Sequence, residues 1–125
     1  MRALRIPLIA SAVLAITSAG CGEKTESSGT CPTISTAVTY TTHIQPILEA
    51  SCNECHASTV SGTDRQFAPD GIDYDTYADA VANSERGNIR IAADTMPPPA
   101  CADCTPLSDE AKNLFCNWIN QGTPE

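Results

Sequence analysis

The sequence predicts an all-α fold with three to four helices. Three stretches carry apolar residues at the spacing of one helix face, within residues 41–51, 73–83 and 108–120. No stretch shows the alternation of apolar and polar residues that is typical of a strand. Glycine and proline residues separate the three stretches, so each helix is expected to be short.

The first predicted helix occupies residues 41–51, with Thr41 or Thr42 as its N-cap. Pro46 falls in the first turn, where a proline is tolerated because the N–H groups there have no acceptor within the helix. The apolar stripe of this helix consists of Ile44, Ile47 and Leu48.

The second predicted helix is short and follows a loop at residues 57–70. Asp75 is its expected N-cap. An irregular stretch containing Gly87 should come next, and three consecutive prolines at 97–99 exclude a helix there. The residues expected on one side of this helix are Tyr77, Ala78 and Val81.

The last predicted helix has the clearest signals at both ends. Ser108 is its expected N-cap, and Asp109 and Glu110 lie where the helix dipole favours negative charge. Gly122 and Pro124 should terminate it. Its apolar face consists of Ala111, Leu114, Phe115, Trp118 and Ile119.

The N-terminus has the layout of an export signal over residues 1–20: a basic head, an apolar run and small residues. The run at 6–16 is too short to span a bilayer. The sequence SAGC that ends at Cys21 resembles the lipobox of bacterial lipoproteins, which implies a lipid anchor on this cysteine. Gly22 after the anchor favours the outer membrane, on its periplasmic side. The alternative is a secreted protein in which Cys21 pairs with another cysteine.

Residues 21–36 are predicted to be the anchor cysteine and a flexible linker, which leaves one domain at 37–125. Removal of the signal takes away Arg2 and Arg5, so 5 basic face 15 acidic side chains, a formal charge of −10. Nucleic-acid binding is therefore excluded as a function, because phosphate contacts need a positive surface. An acidic surface favours basic protein partners.

The motif CNECH at residues 52–56 is the strongest functional signal in the chain. Cys52 and Cys55 continue the apolar stripe that begins at Ile44, and His56 lies one turn beyond Cys52. Two thiols and one imidazole on one helical turn are what covalent attachment of a c-type haem requires, with His56 on the iron. The alternative is a dithiol or disulfide next to an incidental histidine.

A second axial iron ligand is available in Met96, the only methionine left after the signal is removed. It lies 40 residues after His56 in the proline-stiffened loop, which can reach round a cofactor. His43 lies nine residues before Cys52 in the same predicted helix, so it is poorly placed to reach the opposite face. We expect His43 to be a polar residue of the first helical turn.

Four further cysteines are expected to form two disulfides with three possible connectivities, stapling the domain and pinning the methionine loop to the last helix. A zinc site that joins the pair at 101 and 104 to the pair at 52 and 55 is the alternative, although the 45 intervening residues exceed the usual spacing. The four cysteines are Cys31, Cys101, Cys104 and Cys116.

From residue 40 to residue 122 the chain resembles a short monohaem class I cytochrome c of the bacterial lipoprotein type. The residues that carry the resemblance are Tyr40, Ile44, Pro46, Ile47 and Leu48, the motif CNECH, MPP at 96–98 and WINQG at 118–122. The resemblance implies helices around one covalent haem, first and last helices that cross, and ligation by His56 and Met96. The function it implies is one-electron transfer to redox partner proteins, without enzymatic activity.

Two other functions stay open at the level of sequence. In a haem-based sensor or small redox enzyme, Met96 would be displaced to admit a small ligand to the iron. A disulfide-stapled binding module would carry no haem at all.

Overall fold

The computed structural model describes residues 30–99, 101 and 104–125. The predicted signal at 1–20, Cys21 and most of the predicted linker lie outside the described residues. The described residues form four α-helices: α1 (Gln45–Ser51), α2 (Asn53–His56), α3 (Tyr77–Ala92) and α4 (Asp109–Asn120). A π-helical turn (Tyr40–Ile44) precedes α1, and a 3-10 turn (Gly62–Arg65) follows α2. Within the described residues there is no strand, so the predicted all-α class is confirmed.

None of the helices in the described ranges combines the length and apolarity that a membrane span needs.

The first helix begins earlier than predicted, and its opening turn is wider than an α-turn. Thr39 is the N-cap and makes no side-chain cap hydrogen bond, so the predicted cap at Thr41 or Thr42 is wrong. The Gln45 N–H donates to the Tyr40 carbonyl, five residues back. Pro46 accounts for this turn, because in a regular α-helix its ring would clash with the carbonyl four residues before it.

Helix α3 differs most from the prediction. Its N-cap is Thr76, whose hydroxyl accepts a hydrogen bond from the Asp79 N–H, rather than Asp75. The helix runs for 16 residues to Ala92, through the stretch expected to be irregular. Gly87 lies inside it, where an added Cβ would come within 2.8 Å of the Tyr74 hydroxyl oxygen. This glycine therefore permits close packing within the helix and does not end it.

Helix α4 agrees with the prediction at both ends. The Ser108 hydroxyl accepts a hydrogen bond from the Ala111 N–H at 3.1 Å, which confirms the predicted cap. The helix ends at Asn120, and Gly122 adopts a left-handed φ of 85° just beyond it. Phe115 and Trp118 are almost completely buried, as the apolar pattern predicted.

The core joins the start of the first helix to α3 and α4. The Tyr40 ring lies 6.1 Å from the Trp118 ring and 5.2 Å from the Tyr77 ring. The C-terminal residues close this core: the Trp118 indole N–H donates to the Pro124 carbonyl, and the Tyr77 hydroxyl donates to the Thr123 carbonyl. The buried apolar residues are Val38, Tyr40, Ile44, Leu48, Tyr74, Ala80, Ile91, Phe115 and Trp118.

The two disulfides predicted from sequence are both present, and the structure resolves their connectivity. Cys31 is bonded to Cys116, which ties the segment before the first helix to α4 across 85 residues. Cys101 is bonded to Cys104 and closes a local loop. The expectation that a disulfide pins the methionine loop to the last helix is therefore wrong, because neither cysteine of that loop reaches α4.

Candidate functional site

The motif CNECH folds into one helical turn that brings its three reactive side chains together. The His56 N–H donates to the Cys52 carbonyl at 2.9 Å, and the Cys55 N–H donates to the same oxygen at 3.1 Å. Cys52 ends α1 and caps α2, and its φ of −124° breaks the continuous helix that the apolar stripe predicted. The side chains of Cys52, Cys55 and His56 line one cavity of about 430 Å³.

The cavity has mostly apolar walls, drawn from every α-helix and from the methionine loop. Its volume falls within the range of roughly 300–1,000 Å³ that small-molecule and cofactor sites occupy. An apolar cavity with a few polar groups favours a large planar or hydrophobic ligand over a hydrated ion. Its apolar lining includes Leu48, Ile72, Tyr74, Ile91, Leu107 and Phe115.

The His56 ring is oriented by a hydrogen bond to a residue outside its own helical turn. Its Nδ1 lies 2.6 Å from the Ile72 carbonyl oxygen, which can only accept, so Nδ1 carries the proton. In the neutral ring with this tautomer, Nε2 has the free lone pair. The Tyr74 ring packs edge-on against His56 at 5.4 Å, and the Tyr74 N–H donates to the His56 carbonyl. A ring held in this way is typical of a histidine that binds a metal.

Met96 lines the same cavity as His56 and is half-buried. The two side chains that were predicted from sequence to be iron ligands therefore line one cavity. His43 does not line the cavity, and its Nδ1 accepts a hydrogen bond from the Thr39 N–H at 3.1 Å. That contact fits the expectation of a polar residue in the first turn.

The two thiols of the motif are protonated at neutral pH. Burial raises the pKa of Cys52 to about 12, with a further contribution from Cys55. Burial also raises the pKa of Cys55, aided by the charge of Glu54. Active cysteines of thiol–disulfide exchange proteins have a lowered pKa, so these values argue against a redox dithiol. Among the described cysteines, Cys52 and Cys55 are the two that form no disulfide.

The alternative four-cysteine zinc site is contradicted by the disulfide between Cys101 and Cys104, which removes both thiolates that the site would need. Across the described ranges, no three His, Cys, Asp or Glu side chains cluster closely enough to hold a metal ion.

The loop between α2 and α3 is organised by Arg65, which sequence reasoning did not single out. Arg65 is only 4 % exposed. Its guanidinium donates to main-chain carbonyls between residues 57 and 72 and to the Asp73 carboxylate at 2.8 Å. One of these carbonyls belongs to Ile72, the acceptor for His56. The buried arginine therefore supports the orientation of the histidine ring.

Positive charge is concentrated at the cavity. Of the four lysine and arginine side chains in the described parts of the chain, Arg65, Arg86 and Arg90 line it. Neither Arg86 nor Arg90 makes an ion pair with another described side chain. Arg86 and Arg90 are four residues apart, a spacing that places two side chains on one face of a helix. The sequence prediction missed this pair because it expected an irregular stretch here rather than a helix. Two unpaired cations at an apolar cavity favour a ligand with carboxylate groups.

Several of the acidic residues between His56 and Met96 have partners within the protein. Asp73 pairs with Arg65, Asp94 pairs with Lys112, and Asp75 accepts hydrogen bonds from Ser58. The hydrogen bond from the Ser58 hydroxyl lowers the pKa of Asp75. These carboxylates therefore contribute to folding as well as to surface charge.

No protein-family model, curated protein or solved structure matches this chain.

Proposed function

We propose that the protein is a one-electron carrier that holds a single, covalently bound c-type haem in a cytochrome c-like fold. The observation that carries the proposal is the presence of two free thiols, an oriented imidazole and a thioether on the walls of one apolar cavity. When bound, a haem of this kind supplies an iron centre that cycles between Fe(III) and Fe(II).

Each of the four side chains has a distinct role in the proposal. Cys52 and Cys55 would form the two thioether links, since they lie on one helical turn and are free thiols. His56 would offer Nε2 to the iron, since its Nδ1 is engaged by the Ile72 carbonyl. Met96 would offer its sulfur to the iron, and a methionine ligand raises the reduction potential relative to a second histidine.

Two arginines at the cavity match the charge of a haem. A haem bears two carboxylates, and Arg86 and Arg90 are the cavity-lining cations without an ion-pair partner among the described residues. They would neutralise these carboxylates, while the apolar walls keep water from the iron. Because His56 and Met96 both line the cavity and would both be available to the iron, this arrangement supports electron transfer rather than bond chemistry.

The axial role of Met96 can be tested with Met96→Leu. We expect the variant to keep its covalent haem and to show a lower reduction potential, by roughly 59 mV or more, which is tenfold in a one-electron equilibrium. Potentiometric titration monitored by absorbance gives both results. Added imidazole should also bind the variant more tightly, because the site next to the iron is open.

The matched control is Thr95→Val, which changes a neighbouring residue that also lines the cavity but offers no metal-binding sulfur. This control should keep the wild-type potential. If Met96→Leu behaves in the same way, Met96 is not a ligand. Tight imidazole binding to the wild type, at the affinity of Met96→Leu, would instead support a sensor or redox enzyme with a displaceable methionine.

We further propose that the protein is anchored by a lipid on Cys21 at the periplasmic side of the outer membrane. Cys21→Ser is expected to release the protein from membranes without changing its haem spectrum, since the anchor precedes the domain by many residues. Cell fractionation followed by haem staining measures this. Gly22→Asp serves as the control and should stay membrane-bound but move to the inner membrane. Membrane retention of Cys21→Ser would contradict the lipid anchor.

A further inference from the structure

Phe67 is the most exposed large apolar residue in the described structure. Its side chain is fully exposed (103 %), whereas the next such residue, Ile89, is 49 % exposed. Phe67 also lines the cavity and, being fully exposed, lies at its mouth; Gln66 and Glu54 line the same cavity. A single exposed apolar residue is ordinary on a protein surface. Phe67 differs from other exposed apolar residues in its position at the cavity and in its backbone conformation.

The backbone at Phe67 is in a conformation that most residues avoid. Gln66 and Phe67 have φ values of 46° and 70°, so two consecutive residues other than glycine lie in the left-handed region. Such residues are energetically unfavourable and persist where the surrounding structure enforces them. A bulky aromatic residue is especially unusual in this region.

The enforcing structure is the buried Arg65. Its main-chain carbonyl accepts from the Ala68 N–H at 2.8 Å, and its Nε donates to the Ala68 carbonyl at 3.2 Å. The same guanidinium donates to the Pro69 carbonyl at 2.9 Å, and the Gln66 N–H donates to the Thr63 carbonyl at 3.1 Å. Residues 65–69 are therefore held on both sides of Phe67, and its side chain is presented to solvent by these contacts.

The chain segment that carries Phe67 is acidic. Asp64 and Asp70 flank it at three residues on either side, and both are exposed, as is Glu54 on α2. Asp70 lies 3.5 Å from the Arg65 Nε, but its side chain is 99 % exposed, so water screens that pair. The Arg65 charge itself is buried against carbonyls and Asp73. The segment around Phe67 therefore presents exposed carboxylates to solvent, while Arg86 and Arg90, the exposed cations that line the same cavity, are assigned to the haem carboxylates.

We propose that Phe67, together with Glu54, Asp64 and Asp70, forms a docking surface for a basic redox protein that exchanges one electron with the cofactor. This group of residues is called the Phe67 surface. The inference rests on the proposed function. Aromatic residues are enriched among those that dominate binding energy, and charge complementarity mainly raises the association rate. Redox encounters bury little area, so a single aromatic residue with three carboxylates is large enough to matter.

The test uses the haem-loaded protein and stopped-flow measurement of electron transfer to a purified basic cytochrome c. Phe67→Ser should lower the bimolecular rate constant about tenfold, equivalent to about 1.4 kcal/mol of lost contact. Phe67→Tyr should restore it. Ile89→Ser is the matched control, because it also removes an exposed apolar side chain but lies outside the cavity lining. This control should keep the wild-type rate.

Two further measurements isolate docking from changes at the cofactor. Oxidation by ferricyanide, a small molecule that needs no docking surface, should change less than twofold in Phe67→Ser. Rising ionic strength should slow the wild-type reaction with a basic carrier and quicken it with an acidic one, because exposed charges are screened over about 8–10 Å at physiological salt. The triple variant E54Q/D64N/D70N should flatten this dependence.

Equal rates for Phe67→Ser and Ile89→Ser would overturn the Phe67 surface, as would an unchanged salt dependence in the triple variant. A parallel loss with ferricyanide would also overturn it, since Phe67 would then act on the cofactor itself. Absence of covalent haem from the wild-type protein would instead overturn the proposed function.

Discussion

Replacing Cys52 and Cys55 together with alanine is expected to abolish covalent haem attachment completely. The two thiols are the atoms that would form the thioether links, and none of the other described cysteines is free to replace them. Haem staining on a denaturing gel should disappear, and the intact mass should lose one haem beyond the substitutions themselves. The protein must be made in a host that matures c-type cytochromes.

The chain supplies a matched control for this experiment in its second cysteine pair. Cys101→Ala with Cys104→Ala removes two cysteines at the same spacing, but these are bonded to each other and are followed by Thr105 instead of histidine. This control should keep full haem staining. Staining that persists without Cys52 and Cys55 would contradict the proposed function as a whole, and a wild-type protein without haem would favour a disulfide-stapled binding module.

Replacing Cys31 and Cys116 with serine is expected to lower the free energy of unfolding by about 4–5 kcal/mol. The disulfide joins residues 85 apart, and a cross-link over so long a segment removes much of the entropy of the unfolded chain. It also holds the segment that donates the Ile34 N–H to Asn117 and the Val38 N–H to Gln121. Denaturant unfolding of the haem-loaded protein, followed by circular dichroism, measures the loss.

Cys101→Ser with Cys104→Ser is the control for loop length. It opens a disulfide between residues only three apart, so the expected loss is smaller, about 2 kcal/mol. Equal losses for the two double variants would contradict an explanation based on the length of the closed segment.

The locally encoded features of the fold were predicted well. The Ser108 cap, the apolar face of α4 and the single turn at residues 52–56 each depend on residues within a few positions of one another. Such features follow from helical periodicity and from hydrogen bonds to nearby N–H groups, both of which are visible in sequence. The same reasoning was wrong by one residue for the N-cap of α3, because Thr76, next to the predicted Asp75, is also a favourable N-cap residue.

The length of α3 shows why local reasoning has limits. Gly87 is a poor helix former, and the sequence around it has weak periodicity, so an irregular stretch was the better local prediction. In the structure this stretch is helical, and the missing side chain of Gly87 leaves room for the Tyr74 hydroxyl and the Phe115 ring, which both lie close to where a Cβ would be. This contact joins residues far apart in the chain, so no local window contains it. Since Arg86 and Arg90 lie on this helix, their place in the cavity was missed as well.

By itself, the sequence determined the all-α class, the residues of the CNECH motif, Met96 as the available thioether, and the set of four cysteines that form disulfides. Each of these follows from composition, spacing or elimination. Only the tertiary structure decided which cysteines pair, that His56 and Met96 share one cavity, that Arg65 orients the loop beside His56, and that Phe67 stands exposed at the cavity mouth. These depend on distances between residues far apart in sequence, which are set by how the helices pack.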